Sequence, residues 1–276
     1  MGLPESRRLI VNADDFGRSR SINEAVVRGH REGILTSASL MVNEPAFDEA
    51  VSLARQNPNL GVGLHLTLVC GSSALSFDKI PNLINSGKQF SNNAVSSGLR
   101  FFFSPKLKFQ LQEEIEAQFR KFRDTGLPLD HVNGHLNLHL HPVIFKILME
   151  NAERWGIRHL RLTSDPITLN FKLAGGNILY RTSHALIYKF LSDWARPKLA
   201  QKNILHTQSV FGLLQNARVD ENFLIKLLSQ LPPGDSELYS HPSLDDFKHE
   251  FDALISPEVR TAIEKFRIKL IRYPDL

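Results

Sequence analysis

Cysteine is almost absent from this chain, which has 276 residues and a single cysteine, Cys70. One cysteine excludes an intramolecular disulfide framework and a cysteine-rich zinc site. No uninterrupted apolar run reaches the roughly 18 residues of a membrane-spanning helix. Long basic runs are also missing and the net charge is only +4, so nucleic acid is a poor default partner. Residues 1–17 lack the apolar segment of a signal peptide, and we therefore expect a cytoplasmic protein.

The chain does contain a regular alternation of apolar strand-like runs and helical patterns. Strands are predicted at 8–13, 35–43, 60–68, 129–141, 157–166 and 236–241. Helices are predicted over 21–33, 45–56, 106–124, 142–155 and 256–266, and 71–104 is typical of a long loop. The alternation predicts an α/β fold with a parallel sheet closed, or nearly closed, into a barrel. We expect one domain spanning 1–276.

Four of the eleven histidines lie within the stretch LDHVNGHLNLHLHP, residues 129–142. In an extended chain its odd-numbered His and Asn residues would share one face, and most of its even-numbered residues are apolar. A solvated strand would carry Lys, Glu, Ser or Thr on its polar face. A face of His and Asn is more typical of the wall of a binding site.

Polar side chains also follow the ends of several predicted strands. Asp14 and Asp15 come after the first strand, His65 lies near the end of the third, and His135 and His241 lie on later strands. Singly, such acids often cap helices and such histidines often bond a backbone carbonyl in the core. Together, at the rim where parallel strands end, two imidazoles and one carboxylate would bind a metal and leave a position open for water. The second carboxylate would then be free to act as a general base.

Six motifs carry a family resemblance: LIVNADDFG, GILTSASLMVN, GVGLHLTL, DHVNGHLNLHLHP, LRLTSDP and ELYSHP. In this order, over nearly the whole chain, they resemble the YdjC-like carbohydrate deacetylases. That family includes chitooligosaccharide deacetylases and hopanoid-biosynthesis proteins. The resemblance implies a distorted (β/α) barrel of the NodB and glycoside hydrolase/deacetylase kind, one divalent metal, and hydrolysis of an N-acetyl group from an amino sugar.

The resemblance also implies roles for individual residues. Asp15, His65 and His135 would be the metal ligands, Asp14 the catalytic base and His241 the general acid. Further residues would lie near the base, support the ligands or face the substrate: Arg161, His131, Asn133 and His139. The family favours Mg²⁺, although the ligand set also suits Zn²⁺.

The chain departs from the common family pattern at the histidine-rich motif. Many members read His-x-Asp-Ser-His-His-His-x-His, where this chain has Asn133, Gly134, Leu136 and Asn137. The ligand position His135 is retained, but Asn133 cannot accept a charge-assisted bond as Asp would. This variant resembles the hopanoid branch more than the chitooligosaccharide branch.

Residues of about 168–205 are predicted to form an inserted helical segment. Several basic residues lie close in sequence to its apolar residues. These apolar residues are Leu186, Ile187, Phe190, Leu191 and Trp194. One interpretation is an extra helix packed on the barrel. The other is an apolar lip that admits a lipid-linked sugar or rests on the inner face of a membrane.

Several functions remain open at this point. The leading one is removal of an N-acetyl group from an N-acetylglucosamine-type sugar, either free or linked to a hopanoid lipid. The alternatives are a chitooligosaccharide deacetylase, a metallo-phosphoesterase and a non-catalytic sugar- or lipid-binding protein. A phosphoesterase usually needs more carboxylates to bridge two metals than the single adjacent pair present here.

Overall fold

The structure, a computed structural model, describes residues 6–173, 175, 178–215 and 218–276. Its strands are β1 (Arg7–Phe16), β2 (Ser37–Leu40), β3 (Gly61–Leu66), β4 (Val132–Gly134), β5 (Ser209–Phe211), β6 (Gly234–Ser240) and β7 (Ile268–Leu270). Its helices are α1 (Arg20–Glu32), α2 (Phe47–Arg55), α3 (Ala94–Phe103), α4 (Pro105–Asp124), α5 (Pro142–Asn151), α6 (Ile167–Leu173), α7 (Ile178–Gln201), α8 (Glu221–Ser229), α9 (Lys248–Ile255) and α10 (Pro257–Lys265).

Strand β1 lies at the centre of a parallel sheet. The strand order is β4-β3-β2-β1-β6-β5, and β7 also pairs with β1. Leu9, Ile10 and Val11 of β1 are fully buried, as expected for a strand covered on both faces. Because every pairing in the sheet is parallel, the carboxyl ends of its strands meet at one rim.

An irregular segment, residues 158–164, joins the two edges of the sheet. On one side the amide of Arg161 donates to the carbonyl of Val132 in β4. On the other side the amide of Val210 in β5 donates to the carbonyl of Ser164. The fold is therefore a distorted α/β barrel, as predicted, but 157–166 forms isolated bridges and not the regular strand expected from its sequence.

The histidine-rich motif differs most from its predicted form. Extended structure ends at Gly134, and residues His135–Leu140 form a short 3₁₀ segment. Leu136 and Asn137 have φ angles of 52° and 55°, in the left-handed region, which interrupts the alternation of faces. The expectation of one extended polar face is therefore wrong beyond Gly134.

Helix boundaries agree with the sequence in most places. Helix α4 matches the predicted helix closely, and Ser256 caps α10 with its side chain. Two expectations are wrong. The loop predicted for 71–104 ends in α3, which Asn93 caps, and the helix predicted to begin at residue 21 begins at Arg20 after its cap, Ser19.

The predicted inserted segment contains nearly all of α6 and the whole of α7. Residues 174, 176 and 177 of that segment lie outside the described residues, and its status as an insertion stays a prediction. Within the described part of the chain, no helix has both the length and the apolar character needed to cross a membrane.

Candidate metal centre

A bulge at the end of β1 aims two consecutive carboxylates at the same site. The register between β1 and β2 shifts between Ala13 and Phe16, and Asp15 has a φ of 64°. In a regular strand Asp14 and Asp15 would point to opposite faces. Here both approach His65: Asp14 Oδ1 lies 3.9 Å from its Nδ1, and Asp15 Oδ1 lies 3.3 Å from its Nε2.

Three potential ligands converge next to this bulge. Asp15, His65 and His135 each offer a ligand atom, and these atoms lie within 4.8 Å of one another. The Oδ1 atom of Asp15 is 3.0 Å from His135 Nδ1. Metal–ligand bonds of about 2.1 Å meeting at about 90–110° place donors about 3.0–3.4 Å apart. The observed separations therefore fit one divalent cation.

The chemistry of the donor set fits the same conclusion. All three side chains are buried, and His65 Nε2 has no hydrogen-bond partner among the described residues. Burial alone would raise the pKa of Asp15, but His135 and His65 hold the pKa of this carboxyl well below its usual range. A buried anion facing two imidazole nitrogens is the arrangement of a metal centre before the cation is added.

Arg161 clamps the second carboxylate, Asp14. Its Nη1 donates to Asp14 Oδ2 at 2.7 Å and its Nη2 to Asp14 Oδ1 at 2.9 Å. Asp14 is buried, which would raise its pKa, but Arg161 and His65 outweigh this and lower the pKa below the usual aspartate value. Asp14 is therefore an anion at neutral pH, held in one orientation.

Glu237 and Tyr273 complete this charged cluster, and the sequence reasoning missed both. Arg161 Nε donates to Glu237 Oε1 at 2.8 Å, and the Tyr273 hydroxyl donates to Glu237 Oε2. Both residues are fully buried. The only sequence signal was a charged residue inside the β6 run, because a charge inside a buried parallel strand needs a partner.

Asp14, Asp15, His65, His135 and His241 all line one cavity of about 540 Å³. His241 follows β6, is half-buried, and its ring centre lies 5.9 Å from that of Tyr239. The structure thus brings the predicted ligands, base and acid to the same cavity.

The remaining predicted site residues lie behind the cavity and do not line it. His131 and His139 are fully buried, and His139 Nε2 bonds the backbone carbonyl of Arg161. Burial lowers the pKa of His139 to about 3. Asn133 accepts from His65 Nδ1 at 2.7 Å and donates to Asp14 Oδ1 at 3.1 Å. None of these three side chains is placed to touch a substrate directly.

The sequence of residues 8–265 matches the family described as YdjC-like protein. The chain belongs to the YdjC-like protein family. Several curated proteins are similar in sequence to this YdjC-like chain. A carbohydrate deacetylase of Brevibacillus brevis is 41% identical over 150 residues, which cover 54% of this chain and 57% of the relative. The chain thus spans a little over half the length of the first relatives it matches.

Two further YdjC-like comparisons extend this result. A carbohydrate deacetylase of Thermoanaerobacter pseudethanolicus is 28% identical over 86% of this chain and 82% of its own length. A chitooligosaccharide deacetylase of Proteus mirabilis is 36% identical over 59% of this chain and 62% of its own. Among solved structures, a candidate cellobiose-phosphate cleavage protein of Enterococcus faecalis V583 has a TM-score of 0.74 at 22% identity, with 98% of each chain covered. This likeness shows that the fold is shared.

Proposed function

We propose that this YdjC-like protein is a metal-dependent hydrolase that removes the N-acetyl group from an N-acetylglucosamine-type sugar. The observation that carries the proposal is the cluster of Asp15, His65 and His135 beside the clamped anion of Asp14. Relatives named as carbohydrate deacetylases support the choice of substrate. A phosphoesterase is less well supported, because the described residues contain one such cluster with a single carboxylate ligand.

The catalytic base in this proposal is Asp14. It is ionised at neutral pH and therefore able to accept a proton from an attacking water. Arg161 keeps both carboxylate oxygens oriented, and it divides its own charge between Asp14 and Glu237. Because Arg161 is shared with Glu237, Asp14 is a stronger base than it would be if an arginine were paired with Asp14 alone.

A divalent cation bound by Asp15, His65 and His135 would lower the pKa of a coordinated water and polarise the acetyl carbonyl. The resemblance favours Mg²⁺, whereas two imidazoles and one carboxylate also suit Zn²⁺. We propose that the bound cation is Mg²⁺, and acetate-release measurements with each ion distinguish it from Zn²⁺. His135 is the ligand to remove first, because it contacts Asp15 and takes no part in holding Asp14.

His241 is the proposed general acid. It is half-buried on the cavity wall, where it can meet both substrate and solvent. In the balanced reaction, water adds to the acetyl carbon, the C–N bond breaks, and acetate and a free amine are released. Asp14 takes the proton of the water, and His241 delivers a proton to the departing nitrogen.

We further propose that the sugar is lipid-linked. An apolar groove of about 480 Å³ runs between α3 and α7 and shares Val95, Leu138 and Tyr188 with the metal cavity. Apolar side chains of both helices are unusually open to solvent, since Val95 is 75% and Phe190 72% exposed. A groove of this kind, starting at the cavity, suits the apolar part of a glycolipid.

Acetate release tests the function. The substrates are free N-acetylglucosamine, a di-N-acetylated chitooligosaccharide and an N-acetylglucosaminyl lipid, each with Mg²⁺ or Zn²⁺. We expect Asp14→Asn to lower turnover by about 10²–10⁴-fold and His135→Ala to abolish metal-stimulated activity. Asp78→Asn, an exposed acid outside the cavity, is the control and should match the wild type. Phosphate release from a sugar phosphate, without acetate release from any of these three substrates, would contradict the proposal.

Peripheral membrane contact is the final part of the proposal. Flotation with liposomes should recover the wild type, while Phe190→Ser should stay in the dense fraction because it removes an exposed aromatic ring of α7. Phe77→Ser also removes an exposed aromatic ring, but one that lies outside α7, and it serves as the control. If the wild type itself fails to float, the contact is refuted, whereas the preference for a lipid-linked sugar is decided by the acetate assay.

A further inference from the structure

Beneath the metal centre, a string of buried side chains connects neighbouring strands. Asp130 Oδ1 lies 2.8 Å from His131 Nδ1, and His131 Nε2 lies 2.9 Å from Ser39 Oγ. Ser39 Oγ accepts from Asn133 Nδ2 at 2.8 Å, and Asn133 Oδ1 lies 2.7 Å from His65 Nδ1. We call Asp130, His131, Ser39 and Asn133 the buried relay. All four residues are at most 5% exposed.

The direction of each hydrogen bond in the relay follows from its partners. Ser39 Oγ accepts from Asn133 Nδ2 and also from Asn12 Nδ2, at 2.9 Å. A hydroxyl has two acceptor positions and one hydrogen, so the hydrogen of Ser39 is left for His131 Nε2. His131 must then carry its proton on Nδ1, where the carboxylate of Asp130 accepts it.

Asn133 extends these hydrogen-bond directions to the metal centre. Its amide nitrogen uses one hydrogen on Ser39 and the other on the carboxylate of Asp14. Its oxygen must therefore face His65, and it can only accept. His65 consequently carries a proton on Nδ1, which leaves the lone pair of Nε2 directed at the cluster with Asp15 and His135.

We propose that the buried relay is a positioning device that fixes the tautomer of His65 and thereby prepares Nε2 to bind the cation. The inference rests on the proposed function, because it takes His65 to be a metal ligand. Asn133 suits this task better than a carboxylate in this chain, since its amide donates to Asp14 while its oxygen accepts from His65.

The position of the relay in the fold explains how it stays ordered. Ser39 is on β2 and Asn133 on β4, and β3, which carries His65, lies between them. The ring of Tyr273 stacks on that of His131 with centroids 4.3 Å apart, so Tyr273 covers the relay at His131. A buried polar chain of this kind is stable only if each of its members is satisfied.

The first test is spectroscopic and uses the wild-type protein. Histidines are labelled with ¹⁵N, assigned with single histidine variants, and observed at alkaline pH in the zinc-loaded protein. We expect protons on Nδ1 of both His131 and His65, with His65 Nε2 bound to Zn²⁺. A proton on Nε2 of His131, or a metal bond from Nδ1 of His65, would overturn the inference.

The second test measures the affinity for Zn²⁺ and for Mg²⁺ by calorimetry, without substrate. Ser39→Ala removes the hydroxyl that links His131 to Asn133 and should weaken metal binding by about 10–100-fold. Ser37→Ala is the matched control, because Ser37 is equally buried on the same strand but its hydroxyl has no hydrogen-bond partner in the described part of the chain. We expect its affinity to equal that of the wild type.

The outcomes separate this inference from the proposed function. Equal metal affinity of the Ser39→Ala and Ser37→Ala proteins would refute the relay, even if acetate is released. The expected tautomers and affinities, found without acetate release from any sugar, would support the relay and refute the deacetylase. If Ser39→Ala does not fold, the tautomers of His131 and His65 in the wild type still decide whether the relay acts as proposed.

Discussion

Arg161→Met is the most informative single substitution, because Arg161 holds the charged cluster together. The guanidinium is 1% exposed and forms ion pairs with both Asp14 and Glu237, at 2.7 Å each. Together, the side chains of Arg161, Asp14 and Glu237 carry a net charge of −1. Without it, two buried carboxylates remain and the charge is −2.

The magnitude follows from the burial of the cluster. Removing one partner of a buried ion pair typically costs about 3–5 kcal/mol, because the remaining charge is left without compensation. We expect the free energy of unfolding at neutral pH to fall by about this amount. Since burial then raises the pKa of Asp14, the stability of the variant should fall further as the pH rises above about 4. Deacetylation should be lost as well.

Urea unfolding at several pH values provides the assay. The double variant Arg161→Met/Glu237→Gln has one carboxylate fewer and should be more stable than Arg161→Met alone. Lys248→Met, which breaks an exposed ion pair with Asp252, is the control and should change little. If the double variant is less stable than the single one, or the loss does not depend on pH, the charge argument is wrong.

Three further predictions concern the metal, a half-buried acid and the core. Adding the bound metal ion at about 100 times its Kd should stabilise the wild type by about 2.7 kcal/mol, and should not stabilise His135→Ala; differential scanning fluorimetry checks this. Burial raises the pKa of Asp165 from 3.8 to about 7. Because the unfolded chain binds fewer protons between these values, stability should fall by about 4 kcal/mol as the pH rises through this range, and urea titrations of Asp165→Asn should lack that slope. Leu64→Ala, in the core beside His65, should cost about 2–5 kcal/mol in urea unfolding, whereas the exposed Leu186→Ala should cost far less; equal losses would contradict the burial argument.

The sequence was a good guide to the sheet and to the groups at its rim. Apolar runs identified β1, β2 and β3, because strands buried on both faces are typically apolar, and the predicted strand 236–241 corresponds to β6. Asp14, Asp15, His65 and His241 follow such runs or lie near their ends, so a parallel sheet brings them to one rim. Their roles in metal binding and catalysis stay predictions until acetate release and metal affinity are measured.

The histidine-rich motif shows where local patterns fail. Its alternation suggested an extended strand, but left-handed φ angles at Leu136 and Asn137 turn the chain after Gly134. His135, before that turn, lines the cavity, whereas His139, after it, lies in the interior beneath. The choice between a strand and a turn depends on neighbours distant in the sequence, so the pattern alone could not decide it.

The sequence by itself determined the alternating α/β architecture, the buried strands and the residue types available at their ends, because periodicity and hydrophobicity are properties of short segments. Only the tertiary structure decided which polar groups meet. Ser39, Glu237 and Tyr273 look ordinary in the sequence, yet they connect with His131 and Arg161 beneath the site. Such partners are chosen by hydrogen bonding and charge compensation in a buried space, and that space exists only once the strands are side by side.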